Sequence, residues 1–131
     1  AYVFGEGYED ESIQPGAFAK TVESDDIKML RNHEVDDVIG VWTKIVEDPK
    51  GLFVQGQLDL NTELGRETAS LMQSGALNGL SLGYITNKAQ RKGGKLITSE
   101  VQLFEISIVT FPAMKEATVD RKTVTMFDNI V

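Results

Sequence analysis

The sequence predicts a mainly β fold of the α+β class, a small closed or nearly closed β-barrel with flanking helices. Three observations carry this. Short apolar runs rich in β-branched and aromatic residues recur along the chain, separated by turn residues. Two of these runs bracket a Pro-Gly turn and read as a hairpin. One segment carries helix-capping residues at both ends. A barrel leaves no unpaired strand edge, whereas an open α+β sheet does. Periodicity alone does not separate the two.

Pro15-Gly16-Ala17-Phe18 is expected to open a short helix, because proline is tolerated in a first helical turn. Val38 to Val46 reads as a strand through Val38, Ile39, Val41, Trp42, Ile45 and Val46. Asp48-Pro49-Lys50-Gly51 is a turn, with proline fixing one φ and glycine free to take another sign. From Leu52 to Leu60 apolar and polar residues alternate. Leu52, Val54, Gly56, Leu58 and Leu60 share one face, as expected of a half-buried strand. Asn61 or Thr62 can cap the following helix, Glu63 suits its first turn, and Gly75 can stop it. Leu64, Leu71 and Met72 give that helix an apolar side, with Ala69 as a small spacer. Leu80 to Thr86 is the next strand. Lys88 to Lys95 reads as a mobile polar hairpin tip, and Lys95 to Thr110 holds the last long strand. No internal repeat or low-complexity tract interrupts the pattern, and the tail after Ala113 is polar.

The 131 residues suit one domain, residues 1–131, with a modest core. The start at Ala1, without a methionine, is read as a trimmed or processed piece of a longer chain. A net charge of −7 argues against general nucleic-acid binding, which needs a positive surface to displace counterions. There is no cysteine, so thiol catalysis, disulfides and thiolate metal sites are excluded, and a reducing compartment suits the chain. No apolar run approaches the roughly 18 residues of a membrane span. With a single histidine and no cysteine, a zinc site has few ligands to draw on, and no nucleotide-binding fingerprint is present. No metal or cofactor is therefore expected. The acidic run Glu9-Asp10-Glu11 is read as solvated charge.

Gly79-Leu80-Ser81-Leu82-Gly83 matches the G-x-S-x-G nucleophile pattern. Strand alternation sets Gly79, Ser81, Gly83 and Ile85 on one face and Leu80, Leu82 and Tyr84 on the other. Ser81 then sits on a glycine-lined face where a substrate backbone can approach. In α/β-hydrolases the histidine follows the serine. Here the one histidine, His33, precedes it, so that architecture does not apply, and any base for Ser81 must be His33. A third feature is the run Leu103 to Pro112. Phe104, Ile106 and Ile108 are expected on one apolar face, with Glu105 and Ser107 opposite. A buried carboxylate needs a partner. Either Glu105 lies at an exposed rim, or it orients an imidazole.

Taken together, the ordered segments Pro15-Gly16-Ala17-Phe18, Asn32-His33, Ile39-Gly40, Gly51 to Gly56, Leu80 to Tyr84 and Glu105 to Ala113 are similar to those of the prohead (procapsid) maturation proteases of tailed bacteriophages. The likeness covers roughly residues 5 to 118. It implies a serine endopeptidase distantly related to the herpesvirus assemblins, with a helix-flanked, assemblin-like β-barrel. It implies an enzyme in the host cytoplasm, packaged inside the immature capsid. There it would cut the major capsid protein or its scaffold segment, and itself, with self-association possible in principle and no nucleic acid or membrane as partner. The family's histidine falls on His33, its serine on Ser81 and its acidic position on Glu105. Glu9-Asp10-Glu11-Ser12 departs from the family's more usual aspartate-glycine pattern. Assemblins use a second histidine as third member. This chain has none, so a carboxylate, a serine such as Ser107, or water must serve.

The expected chemistry is acyl-enzyme peptide hydrolysis, with Ser81 as nucleophile and His33 as base. Gly79, Leu82 and Gly83 are candidates for substrate approach or oxyanion contact. Arg31 and Arg66 are the candidate cationic donors. The rival readings are a non-catalytic capsid-assembly or scaffold module of the same fold, and an esterase acting on small molecules.

Overall fold

The computed structural model describes residues 5–6, 11–24, 26–49, 51–112 and 117–119. Glu9, Asp10 and the tail beyond Ala113, apart from 117–119, lie outside the described residues. The chain runs β1 (Gly5–Glu6), β2 (Glu11–Ile13), α1 (Thr21–Ser24), β3 (Lys28–Arg31), β4 (Glu34–Asp48), β5 (Gly51–Leu58), α2 (Glu63–Ser74), β6 (Gly79–Lys92) and β7 (Lys95–Val109). It is mainly β with two helices, and the sheet curls into a half-barrel. The strand order is β1-β2-β7-β3-β4-β5, with β6 branching from β7.

β7 organises the molecule. One edge carries β6 in a long antiparallel ladder. The other is shared by two short parallel strands, β2 at Leu96 to Thr98 and β3 at Glu105 to Ile108. The connection between β2 and β3 covers the gap they leave. Ala17 O accepts from Val101 N–H at 3.1 Å, and Thr21 Oγ1 accepts from Leu103 N–H at 2.9 Å. This explains why the hydroxyl-bearing Thr21 is buried among apolar side chains. The core between the concave sheet and the helices is built from Phe18, Met29, Ile39, Leu52, Leu58, Met72, Leu103, Ile106 and Ile108.

α2 carries the expected caps. Thr62 is extended and its side chain accepts from Gly65 N–H at 2.9 Å, while Gly75 ends the helix in the left-handed conformation at φ 85°. Three expectations change. Pro15 to Lys20 forms turns, because Gly16 sits at φ 92°, and the helix begins only at Thr21. Glu47 braces those turns through Gly16 N–H at 2.9 Å and Phe18 N–H at 3.1 Å. The hairpin tip lies within Lys88 to Lys95 but is narrower than that span. The ladder continues to Lys92↔Lys95, and only Gly93-Gly94 turn. Finally, Phe104 leaves the apolar face. The β6–β7 register shifts between Gly83 and Tyr84, which pair with Glu105 and Leu103 and leave Phe104 as an extra residue. The buried series therefore reads Val101, Leu103, then Ile106, Ile108.

Candidate active site

Register brings the polar positions of β6 and β7 into one row beside β3. Ser81 on β6 pairs with Ser107 on β7, and Ser107 pairs with Leu30 on β3. One step along, Gly83 faces Glu105. β3 then reverses into β4 through two residues, Asn32 and His33, closed by the Arg31↔Glu34 pair. Both turn residues have positive φ, 50° and 62°. Outside glycine this conformation is uncommon, although asparagine and histidine adopt it more often than most residues.

Hydrogen bonds to β7 hold the turn. Asn32 N–H donates to Ile108 O at 2.9 Å, and Thr110 N–H donates to Asn32 Oδ1 at 3.2 Å. His33 N–H donates to Ser107 Oγ at 3.0 Å. The imidazole is thereby aimed back across the sheet. Its Nε2 lies 2.9 Å from Ser81 Oγ, and its Nδ1 bonds Glu105 Oε1. Ser107 Oγ donates to the other carboxylate oxygen, Glu105 Oε2, at 2.5 Å. Every polar atom of this row has a partner. An ionised carboxylate only accepts, so the bond to Glu105 places the imidazole hydrogen on Nδ1 and leaves the Nε2 lone pair toward Ser81.

Burial is graded across the row. Ser107 is fully buried, Ser81 and Glu105 are 7% and 9% exposed, and the His33 side chain is 41% exposed. The glycines have assigned tasks. A Cβ on Gly83 would stand 2.2 Å from Glu105 Oε1, so Gly83 is the space the carboxylate occupies. A Cβ on Gly79 would meet Pro112 Cδ at 2.7 Å, so Gly79 is covered by the chain leaving β7 rather than open to substrate. The Leu82 side chain packs against the core. Its N–H faces away from β7, as that of Leu80 does in donating to Ala117 O at 2.8 Å.

The structure thus gathers His33, Ser81, Glu105, Ser107 and Gly83. It does not gather the two arginines. Arg66 lies exposed on α2 and donates from Nη1 to Leu60 O at 2.9 Å. Arg31 pairs with Ile108, on the face opposite Ser107. Sequence reasoning missed Asn32. Its signal was an Asn-X pair between two strands, a combination suited to a left-handed two-residue turn. Among the described residues no group of three or more His, Asp or Glu side chains could hold a metal ion.

The family model of the caudovirus prohead serine protease matches residues 1–129. The chain belongs to that family. It is also similar to the prohead protease of Enterobacteria phage HK97, 32% identical over 111 residues, which cover 80% of this chain and 49% of the relative. The chain therefore spans about half the length of the curated relative it matches. Among the described residues, no helix is long and apolar enough to cross a membrane.

Proposed function

We propose that the chain is the catalytic domain of a serine endopeptidase that matures a viral procapsid, with Ser81, His33 and Glu105 as its triad. The observation that carries this reading is His33, whose two ring nitrogens engage Ser81 and Glu105 from a left-handed turn. Ser81 Oγ attacks the scissile carbonyl carbon while its proton passes to His33 Nε2. The tetrahedral intermediate collapses, the C–N bond breaks, and Nε2 returns the proton to the leaving amine. Water then repeats the sequence on the acyl-enzyme, and Ser81 regains its proton. Glu105 stays ionised, fixes the Nδ1–H tautomer and stabilises the imidazolium. Ser107 is a positioning residue that holds one oxygen of the carboxylate and the His33 backbone.

Family membership supports the choice of substrate: the major capsid protein or its scaffold segment, and the enzyme's own chain, within the immature capsid in the host cytoplasm. The curled sheet with two helices supports an assemblin-like barrel as the architecture. The test is incubation with the cognate capsid or scaffold precursor, read by mass spectrometry. The wild-type chain yields discrete fragments and Ser81→Ala yields none. Equal cleavage by both proteins overturns the assignment. An intact precursor with both favours a non-catalytic assembly module.

A further inference from the structure

The bulge in β7 changes what surrounds the serine. Leu103 faces the core and Glu105 faces Ser81's side of the sheet, so the extra residue between them, Phe104, is turned to the side of Glu105. It is 48% exposed there. β6 keeps its alternation, so Ile85 follows Ser81 and Gly83 on the same face, and it is 51% exposed. Two bulky apolar side chains thus stand on the catalytic face. Only Gly83, which has no side chain, separates Ile85 from Ser81 along β6. Bulges next to active sites commonly re-aim a side chain in this way.

We propose that Ile85 and Phe104 form a subsite for a bulky apolar side chain of the extended polypeptide substrate; the inference rests on the proteolytic reading above. Geometry specifies the occupant. The outer edge of β6 is taken at its start, where Leu80 N–H donates to Ala117 O at 2.8 Å and Val119 N–H to Asn78 O at 2.9 Å. From Ser81 onward the pairing described for β6 is its ladder with β7. An extended chain adding to that edge has the same rise per residue as β6. Ile85 lies four positions from Ser81, or about 13 Å along the strand. The favoured apolar residue is therefore about four positions from the scissile bond, and Ile85 with Phe104 determines that preference.

The experiment uses peptides spanning the cut in the cognate precursor, with each position up to five residues on either side replaced in turn by serine or by leucine. For the wild-type chain, one position about four residues from the cut prefers leucine to serine by roughly tenfold or more in kcat/KM, as expected for burying one apolar side chain. Phe104→Gln and Ile85→Thr flatten that preference through KM, while kcat and the rate of Ser81 labelling by a small phosphonate stay unchanged. Phe104→Leu restores most of the preference. Undiminished selectivity in Phe104→Gln overturns the subsite. So does loss of phosphonate labelling in that variant, which would make Phe104 a support of the triad. A changed oligomeric state with selectivity intact also overturns it, by assigning the pair to contacts between copies. Failure of the wild-type chain to cleave or to label defeats the proteolytic reading itself, a result distinct from these.

Discussion

The chain makes two hairpin turns of the same backbone type with opposite chemistry. The β6–β7 tip uses Gly93 and Gly94, at φ 57° and 82°, with open space where a Cβ on either would stand. The β3–β4 turn uses Asn32 and His33, at φ 50° and 62°, and is tied by two hydrogen bonds to β7 and by one to Thr110 just beyond it. Glycine takes this conformation freely, whereas another L-residue costs roughly 1–2 kcal/mol. At the tip the turn has only to reverse the chain. At His33 it must also deliver an imidazole between Ser81 and Glu105, so a residue unfavourable to the backbone stands there and neighbouring bonds hold it. The backbone strain among these two turns falls at the one that carries the proposed base.

The largest effect is expected from giving the Asn32-His33 turn the residue its backbone prefers. His33→Gly should lower peptide cleavage by about 10³-fold or more, since it removes the proposed base. It should leave thermal stability unchanged or slightly raised. A marked loss of stability would mean that the imidazole is structural. Glu105→Gln keeps the shape but reverses part of the hydrogen bonding, because an amide nitrogen cannot accept. Turnover should fall roughly 10²–10⁴-fold in steady-state assays, with folding little changed. Ser107→Ala should lose less, since the carboxylate charge remains.

Asn32→Gly sharpens the comparison more gently. It keeps the left-handed turn and removes the Asn32 Oδ1 bond to Thr110 N–H. The expected result is about a tenfold fall in kcat, with KM nearly constant, because near-attack geometry loosens while substrate binding does not. The smallest effect belongs to the other turn. Gly94→Ala should destabilise the fold by about 1 kcal/mol in denaturant unfolding and leave kcat untouched.

What could be read from the sequence follows the same division. The capped helix between Thr62 and Gly75 was legible because its signals are local. Ser81, His33 and Glu105 were legible as residues because few alternatives existed, with a single histidine in the chain. Their convergence was expected from the lone histidine and the family likeness, but not the means, which are the parallel β3–β7 pairing and a turn more than 70 residues from Glu105. The exit of Phe104 from the core face was equally hidden. A bulge shifts alternation by one residue, and a plain period-2 reading carries straight through it. Pro15 to Phe18 misled for a local reason: Pro-Gly can open a helix or make a turn, and Glu47, distant in sequence, selects the turn.

The central claim is that the left-handed turn makes His33 the base of Ser81. A serine-reactive fluorophosphonate followed by peptide mapping tests it directly. The account predicts a single adduct on Ser81 in the wild-type chain and none in folded His33→Gly. An adduct at another serine, or undiminished labelling of Ser81 in His33→Gly, would contradict it.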